Sequence, residues 1–304
     1  MNGIKFTCDG RRIIAATNNR RLTVVDVEHG EQIQSYENSA FTGRDSGRGI
    51  PMVTDPQCPN LAVCACISGK GLTLFDLRMP PPLEFVHDLH SSPIRDIAFL
   101  SSTWPFIKSE QNALISLSQD GSVKVTTTDG RILHAFEVGH FSNCLAVTPE
   151  PFQSSSQPGF TSLIMIGGET LSRYKPDVPV VEHQELPVKE KGFSPAAGSR
   201  HLSPHSHYNN QSGSLCGNIW KMRYTSNGSM LYTATDSGLV KRYRRYPDGQ
   251  HKFLGDVFSH KGDIFDMDIS PYDEFLVTAS KDKNVGVLCL GTPSHGFTGF
   301  TELT

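Results

Sequence analysis

The chain of 304 residues lacks any apolar run near the roughly 20 residues that a membrane-crossing helix needs. It also lacks an excess of either charge. Its 28 Lys and Arg stand against 31 Asp and Glu, a formal net charge of −3, so no global pull toward nucleic acid or anionic lipid is expected. Met1 is followed by Asn-Gly and not by the basic segment and apolar stretch of a signal peptide, so none is expected. Seven cysteines form no disulfide framework; they point to reduced thiols in a cytoplasmic or nuclear protein. Catalytic signatures are missing as well. There is no Gly-rich phosphate loop, no His-Glu-x-x-His and no Gly-x-Ser-x-Gly, and hence no nucleophile–base pair to name. A non-enzymatic protein without metal or cofactor is the expectation. Helical periodicity is absent too, which leaves strands.

What the chain does have is a repeat of about fifty residues, present six times. The copies align on a small or apolar residue ending the second strand of each unit: Thr17, Ile67, Ser118, Gly168, Thr235 and Ser280. Alternating third strands follow, such as Leu22–Asp26, Leu72–Asp76 and Val285–Leu288, bounded by Gly, Asp and Asn. Repeats are expected at about 1–38, 50–88, 89–133, 134–175, 216–254 and 255–304, in one all-β domain spanning 1–304. A unit that packs mainly on its neighbours escapes the usual limit on domain size, and 37% hydrophobic content suffices for a continuous core. Residues 176–215 break the pattern. Their later part is rich in Ser, Pro, Gly and His and holds few core-forming residues, so a disordered loop is expected there. It carries Ser194-Pro195 and Ser203-Pro204, candidate sites for proline-directed phosphorylation. His201, His205 and His207 in the same loop have no fixed partners and are read as composition, not as a metal site.

With those units in view, the chain resembles the WD40-repeat β-propeller family. Ser259-His260 and Asp282 match the family's Gly-His pair and turn aspartate, His90 with Ser118-Gln-Asp120-Gly-Ser-Val comes close to its consensus, and Gly139-His140 opens the fourth unit. The resemblance implies that His90, Asp120, His140, His260 and Asp282 are structural, and that the third and sixth blades are the better locked. The family's Trp is absent from all six third strands, where Val25, Phe75, Thr126, Tyr174, Tyr243 and Leu288 stand. Six copies, the first starting partway through a unit, leave two readings open: a complete six-bladed ring, or part of a seven-bladed or larger propeller, which is the one favoured.

By the same resemblance, the residue one step into each innermost strand points to the mouth of the central channel: Asn2, Arg95, Asn143, Trp220 and Phe265. Aromatic anchors beside an arginine are hot-spot chemistry for a protein or peptide partner; the plainer reading is that Trp220 and Phe265 pack between blades. Phe75-Asp-Leu-Arg78 resembles the ending by which substrate receptors of cullin–RING ubiquitin ligases dock their adaptor, with Asp76 and Arg78 as the docking pair. Lys241-Arg-Tyr-Arg-Arg-Tyr246 mixes basic and aromatic residues as a nucleic-acid surface does. Strand alternation, however, sends Lys241, Tyr243 and Arg245 to one face and Arg242, Arg244 and Tyr246 to the other.

Overall fold

A computed structural model describes residues 3–16, 20–37, 49–66, 68–80, 84–86, 88–101, 104–105, 107, 113–149, 162–176, 180–184, 217–270 and 272–290. Among them every regular element is a strand, and the strands fall into six antiparallel sheets. The first holds β1 (Gly3–Phe6), β2 (Arg12–Ala16), β3 (Leu22–Asp26) and β4 (Gln32–Tyr36); the second β5 (Met52–Thr54), β6 (Leu61–Ala65), β7 (Leu72–Asp76) and β8 (Glu84–Val86). The third holds β9 (Ile94–Leu100), β10 (Ala113–Ser118), β11 (Ser122–Thr126) and β12 (Ile132–Glu137); the fourth β13 (Ser142–Val147), β14 (Ile164–Gly168), β15 (Leu171–Lys175) and β16 (Val180–Gln184). The fifth holds β17 (Ile219–Tyr224), β18 (Met230–Thr235), β19 (Leu239–Arg245) and β20 (His251–Ser259), and the sixth β21 (Ile264–Ile269), β22 (Phe275–Ser280) and β23 (Val285–Cys289). Consecutive strands pair within each sheet, so every unit is an up-and-down meander, the blade of a propeller.

Two expected boundaries move. The outer strand β12 runs to Glu137, so 134–137 belong to the third blade and not to the fourth. The insertion does not begin at Pro176: β16 pairs with β15 through Tyr174↔Val181 and Ser172↔His183, because Val180 and Val181 supply a strand that Pro-rich surroundings concealed. Residues 185–216, with Ser194 and Ser203, lie outside the described residues, as do Asn2, Thr17 and Ile67.

Five apolar clusters fill the spaces between successive blades, from the first–second pair through to the fifth–sixth. Cross-strand partners share a face, so each sheet gives one face to each neighbour. Ile14, Leu22 and Val24 of the first blade meet Met52, Cys64 and Phe75 of the second. None of these clusters joins the sixth blade to the first. The two faces at that junction carry exposed apolar residues: Phe6 at 56% and Ile4 on one, Val277 at 40%, Phe275 and Val285 on the other.

Histidines lock the blades. In the sixth, His260 is hydrogen-bonded by Nδ1 to Asp282 Oδ2 at 3.0 Å and by Nε2 to Thr278 Oγ1 at 2.7 Å. In the third, His90 reaches Ser116 Oγ at 2.8 Å and Ser122 Oγ at 2.9 Å, and Ser122 in turn donates to Asp120 at 2.7 Å, so a serine stands between histidine and aspartate. The fourth blade has a chain of its own, His140–Ser172–His183, with both hydrogen bonds at 2.8 Å. In the fifth, His251 Nε2 meets Tyr224 Oη at 2.8 Å.

Burial, followed by the charge of Lys124, lowers the pKa of His90 to about 4. Burial, followed by Arg245 and Arg173, does the same for His251. Both are thus neutral in the fold and titrate near 6.5 when unfolded. Their contribution is complete above about pH 6.5 and is lost as pH falls toward 4. Unfolding by urea is therefore expected to show a steady decline in stability from about pH 6.5 to 4, a decline made shallower by His90→Gln. A flat profile across that window would contradict this account.

Candidate functional site

The inner strands of the third to sixth blades share an irregularity at one position. Ile94 pairs with Ser118 and Asp96 with Leu117, which leaves Arg95 unpaired in the ladder. The same skip isolates Asn143 between Ser142 and Cys144, Trp220 between Ile219 and Lys221, and Phe265 between Ile264 and Asp266. Each is the extra residue of a β-bulge, a device that turns one side chain away from the alternation of its strand. The positions that sequence alignment grouped are therefore structurally equivalent in four blades. In the second blade the described ladder is shorter, Met52, Val53 and Thr54 pairing with Cys64, Val63 and Ala62.

Contacts link the bulges into an arc. The Arg95 guanidinium carbon lies 5.9 Å from the centroid of the Phe141 ring, and its Nη2 donates to Gln119 Oε1. Asn143 Nδ2 donates to the Ile219 carbonyl at 3.1 Å. Trp220 and Phe265 meet across the fifth and sixth blades with ring centroids 6.0 Å apart and a tilt of 41°. Phe265 is exposed at 37%, while Arg95 and Trp220 are half-buried. Asn143 corrects the expectation: at 7% exposure it offers no surface, because its amide ties the fourth blade to the fifth. Phe141 was missed by sequence reasoning, although an aromatic just after Gly139-His140 and before the inner strand was a usable signal. Its placement depends on Gly168, where a Cβ would lie 2.1 Å from the Phe141 carbonyl oxygen.

Below the bulges, charges compensate one another. Lys221 Nζ lies 3.6 Å from Asp96 Oδ1, whose other oxygen accepts from Leu145 N at 3.1 Å, and Arg223 Nε donates to Asp268 at 2.9 Å. Burial, with help from Arg223 and Lys221, lowers Lys5 to about 8.

The other candidates close on themselves. Arg78 makes a two-pronged pair with Asp76, Nε to Oδ1 at 2.8 Å and Nη2 to Oδ2 at 2.6 Å, and this pair holds the Asp76 carboxyl below the usual range. Phe75 is fully buried and packs edge-on against Tyr36 at 4.8 Å. The basic run divides as alternation requires. Lys241, Tyr243 and Arg245 are buried, with Lys241 bound to Asp256 at 2.9 Å, and of its four cations only Arg244 is fully exposed. A continuous cationic surface with stacking rings is not formed there. Among the described residues no group of three or more His, Cys, Asp or Glu is arranged to hold a metal ion, and no helix is long and apolar enough to cross a membrane.

Six meander blades packed face to face define a β-propeller. The family model for the WD domain, G-beta repeat, matches residues 252–287, which run from the outer strand of the fifth blade through the third strand of the sixth. The chain is thus an all-β, six-bladed propeller with a WD-type repeat in its last blade, and propellers of WD40 repeats generally serve as protein-interaction scaffolds. A comparison with curated proteins found no match.

Proposed function

We propose that the chain is a non-enzymatic scaffold that holds a protein or peptide segment across the channel mouth, with Trp220, Phe265 and Arg95 as its contact residues. The observation that carries this reading is the bulge repeated in four successive inner strands, which turns two touching aromatic rings and an arginine away from the ladder at equivalent positions. Aromatic anchors and arginine dominate the energetics of interfaces. A cytoplasmic or nuclear setting goes with the reading, in keeping with seven cysteines whose spacing forms no disulfide framework.

The test is quantitative partner capture by the purified chain, comparing wild type, Trp220→Ala/Phe265→Ala and Arg78→Ala. The aromatic variant should lose the partners that Arg78→Ala keeps. Equal recovery by the aromatic variant sinks the reading, and selective loss of a ligase adaptor with Arg78→Ala would put the ubiquitin-receptor role in its place.

A further inference from the structure

Among the described residues, Arg95 has no counter-ion. Its Nη2 donates to the neutral amide of Gln119, and its Nε is buried with no hydrogen-bond partner. Neighbouring cations are matched: Lys221 by Asp96 at 3.6 Å, Arg223 by Asp268 at 2.9 Å, and Lys281 by Asp263 at 3.7 Å. Burial is the one influence on the Arg95 pKa, which it lowers; no nearby carboxylate raises it. A partly desolvated guanidinium left unpaired is costly, and its planar fork fits a carboxylate with two parallel hydrogen bonds.

Resting on the reading of the mouth as a peptide site, we propose that Arg95 receives a side-chain carboxylate of the bound segment. The ligand is then an extended peptide with Asp or Glu over the third blade. An aromatic or branched apolar residue follows at Trp220 and Phe265, the two being separated by the fourth blade, where Asn143 turns inward. Charge decides against a phosphate. A phosphoryl group carries about −1.5 to −2 and is recognised by clusters of arginine, whereas Arg95 supplies a single positive charge beside the Phe141 ring.

The experiment is selection of short linear peptides from a displayed library by the whole chain, followed by affinity measurement on the leading peptide. Wild type should enrich an acidic position at fixed spacing from an apolar anchor. Arg95→Gln should lose the acidic preference and keep the anchor, and should bind the leading peptide about tenfold or more weakly. Changing the peptide's Glu to Gln should weaken wild type and leave Arg95→Gln unaffected. Gln119→Glu supplies Arg95 with a carboxylate in place and should reproduce the loss in a chain that retains the arginine's packing. Enriched peptides that need Trp220 and Phe265 but show no acidic position overturn the carboxylate inference alone. Peptides indifferent to Trp220→Ala/Phe265→Ala overturn the site itself, and a phosphoserine probe that outbinds its glutamate counterpart replaces carboxylate by phosphate.

Discussion

Replacing Trp220 and Phe265 together by alanine is expected to weaken binding of a mouth-directed peptide by at least about a hundredfold. An aromatic hot spot is worth about 2 kcal/mol or more, and about 1.4 kcal/mol is a tenfold change. The two losses should add incompletely, because the rings touch at 6.0 Å and each supports the other. The fold should survive. Phe265 is partly in solvent and Trp220 is half-buried, while the adjacent Ile219 and Ile264, which pack into the interblade clusters, are untouched. Isothermal titration of each single variant and the double variant checks this, with thermal unfolding as the control on structure. Weakening of less than about threefold in the double variant would remove the aromatic pair from the interface.

Phe75→Ala is expected to cost about 3–5 kcal/mol of stability, a large part of what a typical domain possesses. Phe75 is fully buried between the first and second blades, with Tyr36 at 4.8 Å, and Tyr36 Oη donates to the carbonyls of Asp76 at 3.1 Å and Met79 at 2.9 Å. Emptying that space therefore loosens a side chain that ties the fourth strand of one blade to the end of the third strand in the next. Val277→Ala, on the exposed face of the sixth blade, should change stability by less than about 0.5 kcal/mol. Urea denaturation of the two variants side by side would contradict the packing described if their effects were alike.

Repetition made most of the fold legible. Ser118, Gly168, Thr235 and Ser280 were equated by spacing, and each pairs with the first residue of its blade's inner strand. That equivalence carried Arg95, Trp220 and Phe265 to matching bulges. It did not carry exposure. Asn143 is polar like a surface residue, yet its amide satisfies a carbonyl of the next blade, a contact that sequence spacing does not encode. The strand Val180–Gln184 was hidden because an outer strand needs few apolar residues, and Pro176 and Pro179 looked like the start of a loop. Alternation divided Lys241 to Arg245 correctly, because the side chains of β19 keep a period of two across the register shifts against β20. The fourth blade's lock was missed because His183 lies in that unrecognised strand.

The most direct test uses a selected peptide with a photo-crosslinking group at its apolar anchor, with the adducts mapped by mass spectrometry. The account predicts adducts on segments 219–221 and 264–266, and their loss when Trp220 and Phe265 are alanine. Adducts confined to the outer strands around 241–246, or to the neighbourhood of Arg78, would contradict it.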